Sequence, residues 1–148
     1  MNRVGPGLWV CDIATVRERP TDRFDRIVTV CQDSVAANVS PATAYHHVAL
    51  SDGPPEGHVP GACDRETVAR AIDHVVAGLE SGDETLVHCH AGRSRSPTIA
   101  AAALAIHTDQ DFDDALYAVT QTNGPTFPHP MILDFARDVV DESRSTLK

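Results

Sequence analysis

Five residues separate a cysteine from an arginine in Cys89-His90-Ala91-Gly92-Arg93-Ser94-Arg95. A loop of that length can curl until the sulfur and the guanidinium face one anion. Arginine suits a tetrahedral oxyanion because its planar fork donates two parallel hydrogen bonds. The loop lies between an apolar run, Thr85-Leu86-Val87-His88-Cys89, and an Ala-rich helical stretch from Ser96 to about Ile106. In open α/β sheets ligands bind beyond the carboxyl ends of the strands. The loop amides and the first helical turn supply partial positive charge at that place. A thiol set there beside a cation ionises readily. A Cys89 thiolate beneath a bound phosphate is placed for in-line attack on phosphorus, giving a cysteinyl-phosphate that water hydrolyses. His90, Ala91, Gly92, Arg93, Ser94 and Arg95 form the expected phosphate cradle. Amides and Arg95 carry the transition-state charge, so this chemistry calls for no metal and no cofactor.

The elements that must hold this loop are legible in outline. Leu8-Trp9-Val10, Arg26 to Cys31 and Tyr45 to Leu50 read as strands, the second rich in β-branched residues. Ser51-Asp52-Gly53-Pro54-Pro55-Glu56-Gly57 breaks regular structure and leaves its side chains free to serve a site. Val68, Ile72, Val75, Val76 and Leu79 recur with helical spacing from Asp64 onward. Thr85 to Cys89 is almost wholly apolar, as strands in the middle of a sheet are. Two further apolar stripes, from Phe112 to Val119 and from Ile132 to Val140, predict late helices on either side of an irregular Pro-rich connector. Pro97 is tolerated because it falls in the first turn of its helix. The expected class is α/β, a small central, mostly parallel sheet flanked by helices.

Composition bounds the function. The chain has 148 residues and a net charge of -9, from 12 basic and 21 acidic side chains. That length fits one domain, 1–148. Such acidity opposes docking on nucleic acid or on anionic membranes. No apolar run approaches the roughly 20 residues that span a bilayer. The N-terminus lacks the apolar core of a secretory signal, so a cytoplasmic protein is expected; its oligomeric state is open, with a monomer favoured. Of the acids 15 are Asp, and of the bases 11 are Arg. That composition suits a halophilic surface, and GC-rich coding bias is the alternative. The cysteines, Cys11, Cys31, Cys63 and Cys89, form no Cys-x-x-Cys pair, which opposes a zinc ribbon. His46 and His47 are adjacent on a strand and face opposite ways, which reads as structure rather than a metal site.

His88-Cys89-His90-Ala91-Gly92-Arg93-Ser94-Arg95-Ser96 resembles the His-Cys-x5-Arg-Ser/Thr signature of the protein tyrosine phosphatases, and most of all the dual-specificity phosphatases. Gly7-Leu8-Trp9-Val10 and Asp12-Ile13-Ala14 resemble the first strand and turn of those domains. The resemblance implies the protein tyrosine phosphatase-like fold, with phosphotyrosine and phosphoserine/threonine in proteins as substrates. It implies Cys89 as nucleophile, Arg95 as clamp and an aspartate from an upstream loop as general acid. Asp52 is the candidate and Asp64 its rival. Asp52 also reads as a turn-forming residue before glycine, and Asp64 as a helix N-cap. Ser96 can hydrogen-bond the sulfur, and the resemblance implies that it assists when the sulfur departs. His88 is expected to support the loop by bonding backbone. His90 and Arg93 point outward in the family's geometry. His129 stands where members of the family often carry an asparagine.

Other functions keep parts of the same motif. Phosphoinositides, RNA 5′-phosphates or other small phosphates are alternative substrates. A phosphate-binding pseudoenzyme, a sulfurtransferase or an arsenate reductase fits less of the signature. By resemblance to lipid phosphatases of the superfamily, Cys31 is a candidate redox partner for Cys89. Otherwise it is a core thiol.

Overall fold

The computed structural model describes residues 1–54 and 61–146. The chain runs β1 (Asn2–Gly5), β2 (Leu8–Cys11), α1 (Ile13–Glu18), β3 (Arg26–Thr29), a 3-10 turn (Ala36–Asn38) and β4 (Ala44–His47). It continues through α2 (Arg65–Glu80), β5 (Thr85–His88), α3 (Arg95–Thr108), α4 (Phe112–Asn123) and α5 (Pro130–Thr146). Sheet order is β1-β2-β5-β3-β4. Only β1, paired with β2, is antiparallel; β2, β5, β3 and β4 pair in parallel. The expected α/β class, with a mostly parallel sheet between helices, is what the structure has.

The apolar strand β5 occupies the centre. All four of its residues are buried, and it pairs with β2 on one side and β3 on the other. His88 is level with Cys11 and Thr29, so Cys89 emerges at the carboxyl edge of the middle strand. Helix α3 packs on β2 and β5 and is itself enclosed by α2, α4 and α5. A helix covered on every side has no room for large residues all round. Alanine at 100–103 and 105 lets its neighbours approach, and all five are fully buried.

Two elements lie outside the sequence expectation. Strand β1 covers Asn2–Gly5, where its alternation is too short to read, and it exists because β2 supplies a partner. Helix α1 is six residues long and is held at its start by Asp12, whose carboxylate accepts from Thr15 N–H at 2.8 Å. Strand β3 ends at Thr29 rather than Cys31. Strand β4 ends at His47 rather than Leu50, and Leu50 instead makes an isolated bridge to Ala62. That bridge, with Ser51 N–H donating to Ala62 O at 3.0 Å, closes the base of the Asp52 loop. Helix α3 begins at Arg95, one residue before the expected Ser96. Asp64 caps α2 and accepts from Thr67 N–H at 2.8 Å.

The two adjacent histidines are absorbed by the scaffold. His46 stacks on His74 at 4.2 Å between ring centroids. His47 Nε2 lies 2.8 Å from Cys31 O.

Because α3 is enclosed, enlarging one of its alanines should overpack the core. Ala101→Leu is expected to cost about 1–3 kcal/mol, read from the urea midpoint. Ala118→Leu on the exposed face of α4 should stay within about 0.5 kcal/mol. Equal midpoints for the two variants would contradict this picture of α3.

Candidate functional site

The turn from β5 into α3 must fold back tightly over the sheet edge. Gly92 makes this feasible: its φ is +71°, and a Cβ there would meet Cys11 C and O at 3.1 Å. The loop is pinned from outside as well. Ile13 N–H donates to His90 O at 3.1 Å, Asn123 Nδ2 to Gly92 O at 2.8 Å, and Phe127 N–H to Arg93 O at 2.7 Å. These three bonds tie the loop's carbonyls to α1, α4 and the α4–α5 connector.

Cys89 sits at the bottom, 2% exposed. Gly92 N–H donates to its Sγ at 3.3 Å, and Ser96 Oγ lies 3.1 Å from the same sulfur. Both groups can stabilise a thiolate by donation. Arg95 is 8% exposed. Its Nη1 donates to Gln32 Oε1 at 2.7 Å and to Leu50 O at 3.0 Å. Both acceptors are neutral. Arg95 makes no ion pair among the described residues, and its buried Nε has no hydrogen-bond partner there. A buried cation without a counter-charge, with one donor unspent, is costly unless an anion completes it. A buried thiol and a buried guanidinium in this arrangement have the chemistry to accept an oxyanion.

His88 is fully buried, and burial lowers its pKa to about 4. The ring is neutral at pH 7 and carries one proton. Nδ1 lies 3.3 Å from Cys89 O, and Nε2 lies 2.7 Å from Thr29 Oγ1. Thr29 Oγ1 is in turn 2.7 Å from Tyr45 Oη, which accepts from Val35 N–H at 3.0 Å. One proton arrangement satisfies the whole chain: Val35 donates to Tyr45, Tyr45 to Thr29, Thr29 to His88, and His88 to the Cys89 carbonyl. The expected backbone contact of His88 is present, and Thr29 and Tyr45 extend it.

Asp52 comes to the rim. Ser94 Oγ donates to its Oδ1 at 2.7 Å. Gly53, at φ +105°, leaves room for the His129 ring, since a Cβ there would lie 2.7 Å from His129 Cδ2. Asp64 is instead spent as the cap of α2. His90 and Arg93 are exposed, and His90 Nε2 pairs with Asp33 Oδ2 at 3.0 Å. Ala91 is exposed on the same loop. Cys31 is a buried free thiol whose Sγ lies 3.6 Å from Asp33 O, and burial pushes its pKa up. Pro55, Glu56 and Gly57 of the predicted Asp52 loop lie outside the described residues. No three His, Cys, Asp or Glu side chains converge among the described residues as a metal site would require.

Gln32, Asp33, Tyr45 and Asn123 are site residues that sequence reasoning missed. A signal existed for the first two: they follow β3 at the same carboxyl edge where Cys89 follows β5. Tyr45 and Asn123 carry no local signal, because their partners are 16 and 31 residues away.

No protein-family model matches the sequence, and no curated protein matches it either. Solved structures do match. Human DUSP28 shares the fold at a TM-score of 0.80 and 19% identity, over 99% of both chains. DUSP15 does so at 0.74 and 22%, over 98% of this chain and 92% of that one. PTPMT1 in complex with PI(5)P does so at 0.74 and 15%, over 99% and 97%. The chain thus has the fold of the dual-specificity phosphatases.

The neutral, buried His88 makes stability depend on pH. Its folded pKa of about 4 lies below its ordinary 6.5, so the stabilisation is complete above pH 6.5 and drains away as pH falls towards 4. The loss by pH 4 should be about 3 kcal/mol. His46 and His74 are shifted the same way by burial and add to it. Urea midpoints taken from pH 7 to 4 for wild type and His88→Gln should converge as pH drops. Parallel curves would rule out the assignment.

Proposed function

We propose that this chain is a cysteine-dependent, metal-independent phosphatase of phosphomonoesters, acting on phosphotyrosine and phosphoserine/threonine in proteins. The observation that carries the reading is the buried Arg95, with an unpartnered Nε and no counter-ion among the described residues, beside a thiol that already receives an amide hydrogen bond. A dianionic phosphate on the loop supplies both the charge and the acceptor that this arrangement lacks.

The reaction runs in two displacements. The Cys89 thiolate attacks phosphorus opposite the ester oxygen. The P–O bond breaks, and the leaving oxygen takes a proton from the Asp52 carboxyl group. A cysteinyl-phosphate remains. Water then attacks phosphorus and gives its proton to the Asp52 carboxylate. The P–S bond breaks, and inorganic phosphate and the thiolate are released. Arg95 and the amides of residues 90–95 hold the equatorial oxygens through both transition states. Ser96 Oγ donates to the departing sulfur. Ser94 fixes the Asp52 carboxylate through Oδ1, and the other oxygen transfers the proton.

Protein substrates are favoured over phosphoinositides by the acidity of the chain as a whole, which opposes docking on an anionic membrane. On the loop itself His90 Nε2 lies 3.0 Å from Asp33 Oδ2, while Arg93 is exposed. The likeness to PTPMT1 in complex with PI(5)P is the observation that keeps a lipid substrate as the second reading. Four free thiols fit a reducing cytoplasm, and no described helix is long and apolar enough to cross a membrane. Cys31 remains a proposed oxidation partner of Cys89; a Cys31–Cys89 linked peptide after peroxide treatment is the expected sign.

Hydrolysis of p-nitrophenyl phosphate in EDTA, at low and multimolar salt, tests the reading. Cys89→Ser should abolish turnover, and activity surviving that change would overturn the mechanism. Asp52→Ala is expected to lower kcat about 10²–10⁴-fold for alkyl phosphates and far less for p-nitrophenyl phosphate, whose leaving group needs no proton. Ser94→Ala should show the same leaving-group bias at smaller size. A uniform loss on all substrates would place Asp52 outside the proton transfer.

A further inference from the structure

The cradle loop meets a carboxylate at each end. Asp52 bonds Ser94 at the far end and is used by the reaction. Asp33 stands at the near end, its Oδ2 3.0 Å from His90 Nε2, and the reaction does not use it. Its place is fixed by its neighbours in the chain. Gln32 turns inward and accepts from Arg95 Nη1 at 2.7 Å. Val35 turns back into the core, and its N–H donates to Tyr45 Oη at 3.0 Å. The Cys31 sulfur lies 3.6 Å from the Asp33 carbonyl. Between these anchors the Asp33 side chain is 55% exposed, and His90 is its ion-pair partner among the described residues. A neutral imidazole that donates from Nε2 orients the carboxylate and leaves its charge uncancelled. Arg93, the exposed cation of the loop, lies elsewhere, lining a crevice with Asp12, Thr15 and Asn123. The β3 side of the cradle therefore presents a negative charge on a pinned backbone, as binding residues profit from being presented.

We propose that Asp33 is a specificity residue that pairs with a lysine or arginine flanking the phosphorylated residue of a protein substrate. The proposal rests on the phosphatase reading and narrows its substrates. His90 is the first residue after the nucleophile, so a peptide that leaves the cradle on the β3 side passes the carboxylate His90 holds. A long basic side chain suits that acceptor, because its stem follows the surface while its head reaches the charge. The chain as a whole works in the same direction. A net charge of -9 draws cationic segments in and repels anionic ones. Asp33 converts this general attraction into a local contact that acts only on residues beside the phosphate. Exposed ion pairs are weak, so the contact should be worth about two- to five-fold in affinity.

The test measures kcat/KM on p-nitrophenyl phosphate and on three phosphotyrosine peptides of one sequence. The peptides carry arginine, alanine or glutamate on both sides of the phosphorylated residue. Wild type should favour arginine over alanine, and Asp33→Asn should cut that ratio about two- to five-fold. Asp33→Arg should reverse the order of the arginine and glutamate peptides, and molar salt should erase the wild-type preference. Asp138→Asn, on the exposed face of α5, removes the same charge far from the loop and should leave the ratio unchanged. Equal loss on every substrate in Asp33→Asn would show that Asp33 merely supports the loop through His90. Equal loss on the three peptides, with p-nitrophenyl phosphate spared, would mark it as a proton donor. A matching effect of Asp138→Asn would leave only net charge. Any of these results, or no change, overturns the proposal. Failure of the wild-type protein to hydrolyse p-nitrophenyl phosphate at all would instead strike the phosphatase reading.

Discussion

A guanidinium buried without a counter-charge among the described residues is the constraint around which this molecule is arranged. Arg95 opens α3 beneath the loop, and its neutral partners, Gln32 and the Leu50 carbonyl, come from the ends of two other strand segments. Removing a charge from water costs several kcal/mol even after relaxation. The fold tolerates that cost because the sheet edge, the Asp52 loop and the first turn of α3 meet at this point and are each held by other contacts. Its buried Nε has no hydrogen-bond partner among the described residues.

The second theme is rigidity bought at the backbone. Three carbonyls of the cradle loop, at His90, Gly92 and Arg93, are tied to α1, α4 and the α4–α5 connector. The carbonyl of Cys89 is held by a buried histidine whose own proton is dictated by a chain reaching to Val35. Of the loop amides, that of Gly92 turns inward to the Cys89 sulfur. Such preorganisation matters because donors that need not reorient during a reaction stabilise developing charge most effectively.

Global and local electrostatics point opposite ways. A net charge of -9 repels anions at long range, yet the proposed substrate is itself an anion. Surface arginines are matched to acids, as in Arg137 with Asp113 and Arg144 with Asp109. Arg95 is not. Long-range repulsion is screened by salt within about 8–10 Å, whereas a buried donor acts at contact. Overall acidity therefore reports on solubility, and the chemistry is set by a few side chains shielded from that field.

Much of this was readable along the chain. The central position of β5, the helix after the loop, the capping role of Asp64 and the α/β class all follow from local pattern, because burial on both faces and helical periodicity leave a direct trace in residue type. The Cys-to-Arg spacing is local too, so its chemistry could be read. Strand β1, the early end of β4 and the roles of Gln32, Tyr45 and Asn123 could not, since each depends on a partner far away in sequence. Phe127 is the sharpest case. Its exposure contradicts its hydrophobicity, and its position is held by the bond from its N–H to the Arg93 carbonyl. Sequence by itself determined which residues can do the chemistry and on which kind of element they sit. Tertiary structure alone decided which neutral groups surround the buried charge and what stands at the mouth of the site, because those depend on distances between segments that local pattern does not encode.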